Sequence, residues 1–148
     1  MDRLDVRLLR LLQTNGRMKI NELSQQLALS RPSVAERMIR LQEQGVIEGF
    51  GAKVSLSAIG RGVLLFILMS DVKVPLAEFE RSMIGDESIL ECHRVTGTIG
   101  YILKAAVADM VQVTALVDRL IPYGSVHTSI VLHSPLSGRC VEPDVPDK

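Results

Sequence analysis

Tryptophan is absent from this chain, and rings of any kind are scarce, with three Phe and two Tyr among 148 residues. Any core must therefore be packed by Leu, Ile, Val and Met, with Phe50, Phe66, Phe79, Tyr101 and Tyr123 as isolated contributions. Cysteine is nearly absent too. Cys92 and Cys140 have no metal-ligand spacing and the three His form no recognisable cluster, so neither a metal nor a cofactor is expected from this chain. A single disulfide between the two thiols, or a metal site assembled across subunits, stays open. Long apolar runs are missing as well. The stretch 63–69 has the length of a strand and falls short of the roughly eighteen residues that cross a bilayer. The opening MDRLDVRLL has early acids and an amphipathic rhythm, unlike a secretory signal, so a cytoplasmic protein without a membrane role is expected.

An excess of charge of either sign is lacking overall, since 17 Lys/Arg balance 17 Asp/Glu. The balance conceals a division. Residues 1–60 carry nine basic groups against six acidic, and residues 61–148 carry eight against eleven. A basic front and an acidic rear suit a chain of which only the front meets a polyanion.

What is present begins with helical periodicity. Leu4, Leu8, Leu11 and Leu12 predict a first helix over about 2–14, with Gly16 beyond its end. Asn21 is read as the cap of a short second helix, and Ser30 as the cap of a third that runs to about Gln44 and stops at Gly45. Only Ala28, Leu29 and Ser30 separate the last two helices, the connection of a helix-turn-helix. Val34, Met38 and Leu41 form the inward stripe of the third helix, while Arg31, Ser33, Glu36, Arg37 and Arg40 are read as its outer face. Arg31, Pro32 and Ser33 occupy its first turn, which in this motif enters the major groove; Arg37 and Arg40 suit phosphates. Segments 46–50 and 52–54, around a Gly-Phe-Gly turn, are expected to pair as a small wing, with Lys53 as a phosphate contact.

The rear half alternates. Strands are expected at 63–69, 89–95, 101–108 and 126–133, with helices over 74–85 and 109–121. This βαββαβ order predicts a ferredoxin-like domain, two helices on one face of a four-stranded antiparallel sheet. Apolar residues on both strand faces imply that the open face pairs, most simply in a two-fold homodimer. The fold class is therefore α+β, a winged helix-turn-helix (1–60) followed by a ferredoxin-like ligand-binding and oligomerisation domain (61–133). The last stretch, 134–148, holds three prolines and a glycine and is expected to be loosely ordered.

The chain resembles the leucine-responsive/asparagine (Lrp/AsnC, feast/famine) transcription regulators. The likeness rests on LDVRLLRLLQTNGR (4–17), ELSQQLALS (22–30), RLQEQGVIEGF (40–50), ECHRVTG (91–97) and HTSIVL (127–132), five motifs in order across both halves. It implies a regulator that binds double-stranded DNA, with dimers assembling into octamers or other higher oligomers. It also implies a small effector, commonly an amino acid, bound between dimers. The family's pocket maps onto Gly97, Thr98, Ile99, Gly100 and Tyr101, with Thr128 and Ser129. Family members often carry acids at the two positions held here by Thr98 and Gly100. An α-ammonium would then need Glu91, Asp109 or a partner subunit, unless the ligand is of another kind or the pocket is vestigial.

Two other readings remain. A co-regulator with weak DNA affinity could act through hetero-oligomers. A tetrapyrrole decarboxylase of similar architecture would need an acid–base group such as His93 or His127.

Overall fold

The computed structural model of the chain describes residues 1–143, which separate into two compact units. The front unit is Met1–Lys53 together with the stretch from Leu136; the rear unit is Val54–Pro135. This division differs from the expected boundary at 60 and from a free-standing tail. Residues 136–143 form no helix or strand, yet they group with the front unit. The remainder of the expected tail, 144–148, lies outside the described residues.

Three helices build the front unit: α1 (Arg3–Thr14), α2 (Ile20–Leu27) and α3 (Arg31–Glu43). Leu8, Leu12, Leu23, Leu27, Val34 and Leu41 close over one another as its core. Asp2 starts α1 by accepting from the Asp5 N–H at 2.8 Å, while the Asp5 side chain accepts from the Asp2 N–H at 2.9 Å. Ser30 starts α3 by accepting from the Ser33 N–H. The start of α2 corrects the sequence reading. Asn21 lies inside the helix, Lys19 is the cap residue, and its N–H donates to the Glu22 side chain at 3.1 Å.

The wing strands are also corrected. Among the described residues, 46–54 contain no strand. Two glycines around Phe50 leave no alternating apolar face, and a lone two-stranded hairpin is marginal in water. Val46 and Ile47 instead donate to the Leu41 carbonyl, closing the end of α3.

In the rear unit, β1 (Val63–Ser70), α4 (Leu76–Gly85), β2 (Ile89–Arg94), β3 (Tyr101–Val107), α5 (Met110–Leu120) and β4 (Ser125–Ile130) follow in the expected order. The sheet order is β2-β3-β1-β4, all neighbours antiparallel. Leu65, Ile67 and Met69 pair with Ala105, Leu103 and Tyr101, and these side chains meet Phe79, Met83, Val113, Leu116 and Leu120. Both helices thus cover one face.

A register shift between Ile89 and Glu91 re-aims β2. Ile89 and Cys92, which strict alternation along a strand would put on opposite faces, both pack on the helix-covered core. The helix-free face carries Phe66 and Leu68 of β1, with Lys104 and Ile102 beside them on β3 and Ser129 and His127 on β4. Phe66 is 40% exposed there.

Candidate nucleic-acid interface and effector loop

The turn between α2 and α3 fixes how α3 is presented. Ala28 adopts the left-handed conformation (φ 54), which an L side chain enters at a cost. Two contacts hold it there: the Leu29 N–H donates to the Ser24 carbonyl at 3.0 Å, and Ser24 Oγ donates to the Leu29 carbonyl at 2.5 Å. With Val34 and Leu41 fully buried, the opposite side of α3 is left to solvent.

The expected DNA-contacting residues divide on inspection. Arg31, Pro32 and Glu36 are exposed and Ser33 is half-buried. Arg37 does not share the outer face. Three residues after Val34, it lies only about 60° from the buried stripe, and its side chain is 18% exposed. Its guanidinium reaches back to α1, donating to Asp5 Oδ1 at 2.6 Å and Asp2 Oδ2 at 2.7 Å. Arg40 donates to the same Asp5 oxygen at 2.8 Å but keeps 44% of its side chain exposed. Burial works to raise the Asp2 pKa, but the Asp5 N–H and the Arg37 guanidinium outweigh it and hold the carboxyl below its usual range. This cluster was missed because its members lie more than thirty residues apart, beyond any local pattern.

Lys53 is exposed and donates to the Ser137 carbonyl at 3.3 Å. A neutral partner leaves its positive charge available. The segment bearing Ser137 is anchored further along. Gln13 exchanges two hydrogen bonds of 2.8 Å with the Val141 backbone, and Arg10 pairs with Glu142 at 2.7 Å.

In the rear unit, Gly97, Thr98, Ile99 and Gly100 form the β2–β3 loop. Gly97 has φ +107, a conformation that favours glycine, and both it and Thr98 are exposed. Not all of this loop is free. The Gly100 N–H donates to the Met69 carbonyl at 2.9 Å, and the Gly100 carbonyl accepts from Val95 at 3.0 Å. Tyr101 is 1% exposed, and its hydroxyl donates to Glu80 Oε1 at 2.7 Å. Burial, reinforced by Glu80, pushes the Tyr101 pKa up to about 12. Tyr101 therefore belongs to the core rather than to an open pocket.

Thr128 and Ser129 are exposed on β4 and pair with Ile67 and Phe66 respectively, so their side chains point to opposite faces of the sheet. The two carboxylates considered for an ammonium are engaged elsewhere. Glu91 accepts from Lys104 at 2.7 Å and lies near His93 at 3.3 Å, contacts that hold its carboxyl below the usual range. Asp109 accepts from the Gln112 N–H at 2.9 Å and caps α5.

Two family models match this chain, the AsnC-type helix-turn-helix domain over residues 1–42 and the Lrp/AsnC ligand binding domain over residues 64–140. An uncharacterized HTH-type transcriptional regulator of Bacillus subtilis is 33% identical over 135 residues, covering 90% of this chain and 95% of that protein. Among solved structures, a transcriptional regulator of Neisseria meningitidis in complex with L-methionine superposes with a TM-score of 0.88. It is 28% identical, covering 95% of this chain and 96% of that one. The feast or famine regulatory protein of M. tuberculosis, also complexed with L-methionine, gives 0.84 at 28% identity, with coverages of 96% and 99%.

Proposed function

Because this chain belongs to the Lrp/AsnC family of transcription regulators, we propose that it is a homodimeric, sequence-specific reader of duplex DNA whose output is set by a small metabolite. Membership makes it a DNA-binding regulator rather than an enzyme. The observation that carries the finer reading is the presentation of α3, buried along Val34 and Leu41 and open along Arg31, Pro32 and Glu36. Arg31 and Ser33 in its first turn suit base edges and nearby phosphates. Arg40 and Lys53 suit the backbone. Arg37 acts through Asp2 and Asp5, holding α3 to α1.

The helix-free sheet face, with Phe66 and Leu68 in its middle, supports pairing with a second copy. Two reading heads then gain avidity and match a palindromic site. Higher oligomers, octamers among them, follow from further contacts between such dimers. No helix among the described residues is long and apolar enough to cross a membrane, and we place the protein's work in the cytoplasm. Two similar regulators hold L-methionine, which supports an amino acid or related carboxylate at Gly97, Thr98 and Ile99. Since Glu91 and Asp109 are engaged within the chain, we assign the ammonium to a neighbouring subunit.

The test is selection of bound fragments from genomic DNA, with and without an amino-acid pool. An enriched motif is expected with half-sites one helical turn, or a multiple of it, apart. Arg31→Ala should relax the motif at a cost of about 1–3 kcal/mol. Lys53→Ala should weaken all sites alike and flatten the salt slope by about one. Enrichment only in the presence of a second regulator would favour the hetero-oligomeric co-regulator, a reading supported by Asp5 holding two of the expected arginines. No enrichment under any condition would remove the DNA-binding role.

A further inference from the structure

We infer that Ile39, with Ala35 beside it, reads the C5-methyl group of thymine in the major groove. This deepens the proposed function and rests on α3 being the helix that enters the groove. Around α3, Val34 and Leu41 face the core, and Asp5 holds Arg37 and Arg40 along one flank. The other flank carries Pro32, Ala35 and Ile39 at helical spacing, in one shallow depression with Glu36, Arg40 and Glu43. Ile39 is 55% exposed, although the helix buries its other branched aliphatic side chains, Val34 and Leu41, completely.

A duplex offers an apolar group to a protein in one place on its major-groove edges, the thymine methyl. The neighbouring charge places this strip over base edges rather than the backbone. Glu36 has no hydrogen bond or ion pair among the described residues. Its carboxylate would be repelled by phosphates, but it can accept from the amino group of cytosine. An aliphatic strip beside a free acceptor thus complements the groove floor. Arg31 in the first turn keeps its place at a base edge, and Arg40 on the guarded flank is left for the phosphates.

The experiment uses the full chain and a site obtained by the genomic selection above. Each thymine of the site is replaced singly by deoxyuridine, which removes only the methyl. At one or more thymines in each half-site, the unmodified protein should lose about three- to fivefold in affinity. Ile39→Ala should bind the thymine and uracil forms of that position equally, with an unfolding midpoint matching the parent because Ile39 packs against no core. Tight binding with no thymine at which the loss disappears in Ile39→Ala would overturn the inference while leaving DNA binding intact. A selected site without thymine would do the same. Absence of any selected DNA would overturn both.

Discussion

A carboxylate taken out of water has to be matched, and Asp5, 2% exposed, is matched by three donors. The Asp2 N–H, Arg37 and Arg40 all reach it within 2.9 Å. The arginines retain some solvent, so the cluster is worth less than a fully buried pair, whose breaking costs roughly 3–5 kcal/mol. Asp5→Asn keeps an acceptor but withdraws the charge, leaving the half-buried Arg37 with only the more exposed Asp2. We expect a loss of about 1–3 kcal/mol, read from helix melting in denaturant. A change below about 0.5 kcal/mol, within the range of ordinary surface substitutions, would show that the arginines are satisfied by water. The individual arginines were visible in the sequence, but their assignments were not. Helical spacing shows that Arg37 stands near the buried stripe; only the packing of α1 shows what it meets there.

At the scale of elements, the tightest local feature is the left-handed Ala28 between α2 and α3. Glycine enters that conformation without the methyl penalty, while alanine pays roughly 1–2 kcal/mol. Part of the gain is offset by the greater freedom of glycine when unfolded. We expect Ala28→Gly to raise stability by about 0.5–1 kcal/mol, checked by chemical denaturation. Destabilisation would mean that the alanine methyl makes a packing contribution larger than its strain. Helix starts at Asp2, Ser30 and Asp109 were legible because capping is local chemistry. The start of α2 was not, since Glu22 reaches back to Lys19 and supplies the cap from inside the helix. The order of strands in the rear unit was legible from period and turn residues. The shift at β2 was not, because a bulge is decided by the partner strand and leaves a blurred alternation in the bulged one. The wing failed for the opposite reason: glycines that permit a turn also remove the side chains that would hold two strands together. Of the effector loop, the sequence offered the residues but not their exposure, and Gly97 and Thr98 lie at the surface. Tyr101 does not, since its ring turns toward Phe79, with centroids 4.6 Å apart.

The stability of the whole chain should be limited at both ends of the pH scale by different groups. Asp2, Asp86 and Glu91 have folded pKa values below their ordinary 3.8 and 4.5. Burial opposes ionisation at Asp86, but the Ser88 N–H and Arg119 prevail; at Glu91 the Lys104 hydrogen bond is the main cause. These groups stabilise above their unfolded values, and that stability is lost as pH falls through the depressed ones. Tyr101 has the reverse sign. Its folded pKa, about 12 against an ordinary 10.0, means its contribution is intact below pH 10 and is lost as pH rises toward 12. Thermal melts between pH 9 and about 12 should show an alkaline decline that Tyr101→Phe diminishes. An identical decline in the variant would assign it to other groups.

The return of 136–143 to the front unit bears on the order of manufacture. Gln13 is made before the rear sheet, and the backbone it binds, Val141, is made after it. Every strand of the rear sheet leaves the ribosome between them. The front unit is thus begun before the rear sheet and finished after it, and its final clasp closes only after the sheet domain has had the chance to fold. Until residues 136–143 are made the front unit is incomplete, which couples its maturation to synthesis of the rear sheet.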